Sequence, residues 1–152
     1  MDLKRLTWHE FVAMAGAVIL AIGLFLPWYH AENQRAEIAG TTGPGDFTGW
    51  EVHTTIRYLL LAAAAAPIIL SYIVARGHAL SWPRGEMTAV IAIACFGLVG
   101  YNGLIDRPGD PAGLISTKFG LYIALLGIIL MMAGSALRAS ESERPRKPPG
   151  VL

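Results

Sequence analysis

Four long apolar runs, separated by polar segments, dominate the hydrophobic pattern of the chain. They cover about residues 11–28, 56–74, 87–104 and 119–137. A bilayer span needs roughly 20 mostly apolar residues, and it must satisfy its backbone polar groups within the segment. No run has a charged residue in its middle, where a charge would be costly in hydrocarbon. The pattern therefore predicts four transmembrane helices.

The distribution of Lys and Arg predicts the orientation of these helices. The N-terminal segment, the connection 75–86 and the C-terminal tail hold eight of the twelve: Lys4, Arg5, Arg76, Arg84, Arg138, Arg144, Arg146 and Lys147. The connections 29–55 and 105–118, with the start of the second helix, hold the other four: Arg35, Arg57, Arg107 and Lys118. Cytosolic loops are enriched in basic residues, so both termini are predicted to be cytosolic.

The first run is also compatible with a signal peptide, because Lys4 and Arg5 give it a basic start. It ends in Pro27, Trp28 and Tyr29 without a small-x-small cleavage site, which favours an uncleaved helix.

The tryptophans are placed as aromatic anchors at the membrane surface are: Trp8, Trp28, Trp50 and Trp82 lie near or beyond the span ends.

Small residues predict how the helices pack. Lipid provides no hydrophobic drive for helix association, so close approach of backbones at small side chains provides it. The candidate packing positions are Gly16, Gly23, Gly97, Gly100, Gly120, Gly127 and Gly134. The predicted fold is an all-α membrane protein, an antiparallel four-helix bundle over 1–138, followed by a disordered cytosolic tail over 139–152. Packing within the chain is favoured, and packing between chains is the alternative.

The long first outer loop, 29–55, contains the turn sequence Thr41 to Gly45. Its flanks, 35–38 and 47–52, are candidates for a short hairpin. Long loops of this kind are often functional or packed on themselves.

The sequence contains few candidates for catalytic or metal-binding residues. The composition is 54% hydrophobic and 15% charged, with net charge +1, so nothing indicates a nucleic-acid partner. The single cysteine, Cys95, lies in an apolar run and is interpreted as a packing residue. We expect no catalytic residue, no cofactor and no metal. His30 and His53 share the outer side with Glu32 and Glu51, so a metal site there is a minor alternative to exposed or interfacial histidines.

An outer polar cluster is the remaining candidate site, formed by Glu51, Arg57, Asn102 and Asp106. Arg57 is expected to pair with Glu51 or Asp106. Tyr101 and Asn102 are expected to make hydrogen bonds between helices. The absence of an acid or base in the middle of any predicted span argues against a proton-coupled pump.

Short motifs carry a resemblance to a group of uncharacterised four-helix membrane proteins common in actinobacteria. They are Leu26-Pro27-Trp28-Tyr29, Gly49-Trp50-Glu51, Leu104-Ile105-Asp106-Arg107-Pro108 and Lys118-Phe119-Gly120. The resemblance covers almost the whole chain and implies topology rather than an activity. Arg57 stands where the group would have an acidic residue. A long first loop with a tryptophan is also similar to claudin-type proteins, but their paired loop cysteines are missing.

These patterns predict a non-enzymatic protein of the bacterial plasma membrane that acts by lateral helix association, as an accessory subunit or scaffold. Its expected partners are membrane lipids and, where helix faces remain free, other membrane subunits or a second copy. The alternatives are an oligomeric pore or transporter, with Tyr101, Asn102 and Ser135 at an interface, and a lipid-binding or lipid-modifying protein acting at the outer surface.

Overall fold

Helices form most of the computed structural model, which describes residues 6–77 and 85–142. The helices are α1 (Trp8–Leu24), the short α2 (Gly49–Val52), α3 (Ile56–Ala75), α4 (Glu86–Gly100) and α5 (Phe119–Ser142). A π-helical segment, Tyr101–Ile105, continues α4, and a 3₁₀ turn covers Ala112–Leu114. Among the described residues, three helices are long and apolar enough to cross a membrane: α3, α4 with its π-helical extension, and α5. The fourth apolar helix, α1, has 17 residues and is shorter.

The first helix begins and ends earlier than the apolar run 11–28. At its start, the backbone N–H of Thr7 donates to the Glu10 carboxylate at 2.6 Å, as in a capping box. At its end, Pro27 has no N–H for a further helical bond, and the chain becomes extended from this residue onward. Phe25 and Leu26 therefore lie in the turn that ends the helix, and Pro27 and Trp28 belong to a strand.

A small antiparallel sheet caps one end of the helices, which we call the sheet end. Its strands lie in the order β4–β1–β5, and a separate two-stranded hairpin pairs β2 with β3. The strands are β1 (Pro27–Ala31), β2 (Glu37–Ile38), β3 (Thr41–Thr42), β4 (Gly45–Thr48) and β5 (Ile115–Thr117). In the central strand, Tyr29 lies opposite Phe47 on one side and Thr117 on the other. The prediction of an all-α protein is wrong in this respect.

The hairpin in the first loop differs from the predicted one. Its turn lies at Ala39 and Gly40, whose φ angles of 52° and 77° are typical of a type I′ hairpin turn. The predicted flanks 35–38 and 47–52 do not pair with each other: β2 pairs with β3, whereas β4 pairs with β1. The loop thus contributes a strand to a sheet centred on the segment that directly follows α1.

Helices α1 and α5 are antiparallel and pack closely along their length through glycines. A Cβ atom on Gly127 would lie 2.5 Å from the backbone nitrogen of Leu20, and one on Gly16 would lie 2.6 Å from the carbonyl oxygen of Gly127. Gly23 faces Ala124 in the same way. Two further α5 glycines, Gly120 and Gly134, meet the main chain of Leu26 and Pro27, and of His9 and Ala13. Five of the seven predicted packing glycines therefore lie in one interface.

The other two predicted packing glycines have a different environment. A Cβ atom on Gly97 or on Gly100 of α4 would meet nothing within 4 Å. Within the chain, α4 packs against α5 and α3 through other residues, among them the buried Ala92, Cys95 and Val99. In the part of the chain that the structure describes, a side chain at 97 or 100 would therefore have no neighbour to pack against.

Several sequence predictions concern residues outside the described ranges. These are the basic residues Lys4, Arg5 and Arg84, the anchor Trp82, and the tail from 143 onward with its three basic residues. In the described part, α5 continues to Ser142, so the first four residues of the predicted disordered tail are helical.

The two kinds of glycine predict opposite results for the same substitution. We expect Gly127→Ala to lower the free energy of unfolding by about 1–3 kcal/mol, because α1 and α5 must move apart to admit the methyl group. The matched control is Gly97→Ala, which has open space and gains helix propensity, so its stability should be unchanged or slightly higher. Reversible unfolding in detergent, followed by circular dichroism, measures both. Equal destabilisation by the two substitutions would contradict the α1–α5 interface.

Candidate functional site

Arg57, the centre of the predicted polar cluster, lies in the first turn of α3 at the sheet end. Its guanidinium carbon lies 4.9 Å from the ring centroid of Trp50 and 4.9 Å from that of Tyr58. Nη1 donates to the carbonyl oxygen of Trp50 at 3.1 Å, and Nη2 donates to the Tyr58 hydroxyl at 3.1 Å. Aromatic faces and neutral acceptors therefore hold this cation in place.

The other three predicted cluster residues do not contact Arg57. Glu51 closes a capping box at the start of α2, where it accepts from the backbone N–H and the hydroxyl of Thr48 at 2.8 Å each. Across the described residues, no ion pair within 4.0 Å joins Arg57 to Glu51 or to Asp106. The expected pairing was therefore wrong. The Thr48 contacts lower the pKa of Glu51 below its ordinary value.

Asn102 and Asp106 lie at the end of α4. The Asn102 side chain donates to the carbonyl oxygen of Leu98, one turn back in its own helix, at 2.9 Å. The expected bond between helices is therefore replaced by one within a helix, while Tyr101 is exposed. The backbone N–H of Asp106 donates to the carbonyl oxygen of Tyr101 at 2.8 Å and closes the π-helical turn. Ser135 is buried in α5 and is far from Tyr101 and Asn102 in the sequence.

A buried aromatic group lies under the sheet, at a position that the sequence did not indicate. Trp28 and Tyr29 are 0% exposed and His53 is 8% exposed. Trp28 Nε1 donates to the carbonyl oxygen of Gly23 at 2.8 Å, close to the end of α1. The three rings contact one another edge to face, with centroids 5.4–6.4 Å apart. Trp28 was expected at the membrane surface and His53 at an exposed or interfacial position, and both expectations were wrong.

A short hydrogen-bonded chain links this group to α4. The Tyr29 hydroxyl donates to the carbonyl oxygen of Gly103 at 3.2 Å, and Nε2 of His53 lies 3.4 Å from the same hydroxyl. Since the hydroxyl proton is used on Gly103, the His53 tautomer that completes the chain carries its proton on Nε2. The chain joins the segment before α3, the central strand and the π-helical turn after α4.

Burial sets the ionisation of this group. Loss of solvent lowers the pKa of His53 below its ordinary value of 6.5 and raises the pKa of the Tyr29 phenol. Both side chains are therefore neutral near pH 7. As neutral donors and acceptors they are suited to holding three elements together. The charge of Arg107 favours the ionised Tyr29 phenol, but the loss of solvent outweighs it.

A second, solvent-facing group lies across the sheet. Asp46 of β4 lies opposite His30 of β1, with Oδ1 2.6 Å from Nδ1 of the imidazole. The Lys118 ammonium lies 3.1 Å from Asp46 Oδ1. These contacts lower the pKa of Asp46, with the His30 hydrogen bond the larger cause. His30 thus pairs with Asp46, and the metal-ligand alternative with His53, Glu32 and Glu51 is not formed, since the described residues contain no group of three or more potential ligands.

An ionic network joins α1 and α5 at the opposite end of the helices. Arg138 Nε lies 3.7 Å from the Glu10 carboxylate, and Arg138 Nη1 lies 3.2 Å from that of Glu141. Glu141 also lies 3.3 Å from Nδ1 of His9. These polar side chains lie beyond the apolar part of the α1–α5 interface and link the two helices at this end.

Part of this arrangement could be recognised from a pattern in the sequence, and part could not. Pro27 next to a long apolar run marks the place where a helix must stop. The strand after it has no clear alternation, because the consecutive residues Trp28 and Tyr29 are both buried. Nothing local to His53 indicates its burial, because that depends on β1 and α4 folding around it.

Comparison with known proteins adds no assignment: no family model, no curated protein and no solved structure matches the chain.

Removal of the Tyr29 hydroxyl tests the buried chain. We expect Tyr29→Phe to lower the free energy of unfolding by about 1–3 kcal/mol, because the Gly103 carbonyl and His53 Nε2 lose their partner inside the protein. Tyr122→Phe is the matched control, because its hydroxyl contacts Thr117 at an exposed position and should matter by less than about 0.5 kcal/mol. Equal effects in a denaturant titration would contradict the role of the chain.

The lowered pKa of His53 predicts a pH dependence of stability. As pH falls through about 6.5, the unfolded chain binds a proton at His53 before the folded protein does, so the free energy of unfolding should decrease. His53→Gln removes this titration and leaves the other histidines of the chain in place. The wild-type curve should therefore fall more steeply than the variant curve between about pH 7 and pH 5. Parallel curves would show that His53 titrates equally in both states.

Proposed function

We propose that the chain is a four-span protein of the bacterial plasma membrane, with both termini in the cytosol, that acts by lateral helix association. In this proposal it is a non-enzymatic accessory subunit or scaffold of a membrane complex. The three helices of spanning length support a membrane location, and the close packing of the shorter α1 along α5 supports a fourth span. The distribution of basic residues supports the orientation.

One observation carries the proposed association: α4 has small residues on a face that no other part of the described chain covers. Ala94 and Gly97 are exposed, Gly100 is half-buried, and both glycines have open space beside them. Of the three helices of spanning length, α4 is also the least buried. In lipid, small residues allow the close backbone approach that stabilises helix pairs, and α1 and α5 already show this type of contact inside the chain.

A bulky residue at this face tests the proposal. Gly97→Leu should fold, because it has space, but should reduce self-assembly or recovery of a stoichiometric membrane partner after gentle solubilisation by about tenfold or more. Ala62→Leu is the control, since it enlarges an exposed position on α3. Size-exclusion chromatography with mass measurement gives the assembly state. A wild-type protein recovered only as a lone chain would contradict the proposal.

A further inference from the structure

The Arg57 cation has a fixed position but no counter-anion. In the ranges 6–77 and 85–142, no carboxylate lies within 4.0 Å of it, and Glu51, the nearest acid in sequence, is bound to Thr48. The first turn of α3 contains no acidic residue. The positive end of the α3 dipole is therefore added to the charge of Arg57 instead of being offset by a carboxylate.

The guanidinium also has N–H groups that lack a hydrogen-bond acceptor among the described residues. Of its five N–H groups, the contacts with Trp50 and Tyr58 account for two. Nε is buried and has no hydrogen-bond partner among the described residues. The Tyr58 end of the guanidinium is exposed. An anion with several acceptor oxygens, bound at this exposed end, would supply the missing charge and accept from the Nη protons that Trp50 and Tyr58 leave free.

The surroundings of Arg57 indicate where such an anion comes from. Phe25 stacks on Trp50 with a centroid distance of 5.1 Å, so the aromatic cluster reaches from α3 to the end of α1. Below Phe25, toward the middle of α1, an exposed apolar stripe follows at helical spacing, with Val18 48%, Ile22 55% and Phe25 55% exposed. A cation among aromatic rings next to such a stripe is typical of a helix at the lipid headgroup level.

We infer that Arg57, held by Trp50 and Tyr58, binds the phosphate group of an anionic phospholipid whose acyl chain lies along Val18, Ile22 and Phe25. The apolar stripe distinguishes this ligand from free phosphate, which would make no use of it. An anionic headgroup is preferred to a zwitterionic one, because the site carries net positive charge and its aromatic faces are already occupied by the guanidinium. This inference needs a membrane surface at the sheet end, and it does not depend on helix association through α4.

Native mass spectrometry of the purified full chain in detergent, titrated with phosphatidylglycerol or phosphatidylcholine, tests the site. We expect one tightly retained phosphatidylglycerol per chain, lost about tenfold more easily in Arg57→Gln. Arg35→Gln is the charge-matched control, because Arg35 is an exposed cation in the first loop and its removal should leave retention unchanged. Equal loss in the two variants would reduce the effect to general electrostatics and overturn the inference.

Two measurements on the unaltered protein keep the test decisive if Arg57→Gln does not fold. Retention of phosphatidylglycerol should exceed that of phosphatidylcholine by about fivefold or more, and equal retention would overturn the inference. Inorganic phosphate at about 10 mM should leave the lipid bound, because it lacks an acyl chain. Displacement of the lipid by inorganic phosphate would show that the site recognises the free anion and would overturn the lipid assignment.

Discussion

The close antiparallel approach of α1 and α5 is the contact on which the other parts of the structure depend. Glycines along both helices place main chain against main chain from Gly134 at one end to Gly120 at the other. Such contacts gain dispersion energy that larger side chains would prevent, and in lipid this is the principal source of helix association. Because α1 leads directly into β1 and β5 leads directly into α5, the same two segments also pair in the sheet.

The sheet and the aromatic group beneath it complete this pairing. Trp28 satisfies a carbonyl near the end of α1, and Gly49 leaves room for its ring, since a Cβ at that position would collide with it. Tyr29, on the next residue of the strand, reaches the last turn after α4. Trp28 Nε1, the Tyr29 hydroxyl and His53 Nε2 each have a partner on a different element, so the end of α1, the segment before α3 and the turn after α4 are tied together at one level. Such a layer makes the sheet end more rigid than separate loops would be.

The sequence was sufficient for α3, α4 and α5 but not for the end of α1 or for the sheet. Long uncharged apolar runs identify α3, α4 and α5 because hydrocarbon imposes a length and excludes charge. The strand β1 was missed because Pro27 to Ala31 continues an apolar run, and length alone assigned its first residues to a helix. The partners of short strands lie far along the chain, and a three-residue strand such as β5 has too little pattern to be recognised. The hairpin flanks were mispaired for the same reason, since β4 finds its partner in β1.

The candidate sites divide in a similar way. Glycine spacing identified helix faces made of small residues, but any two such faces can pack together. The spacing therefore could not show which faces meet. In the structure, five of the seven glycines lie in one interface, while Gly97 and Gly100 have open space. Arg57 was singled out because it is a cation next to a predicted span. Its partners were misassigned because charge complementarity was given more weight than nearby rings.

The pairing of α1 with α5 has a consequence for biogenesis. The two helices are separated in sequence by nearly the whole of the rest of the fold, so α1 is synthesised long before its partner. Until α5 leaves the ribosome, the glycine face of α1 lacks the main chain that covers it in the folded protein. The early part of the chain therefore remains incompletely folded until α5 has been synthesised. A product truncated before α5 would have a first helix without its principal neighbour.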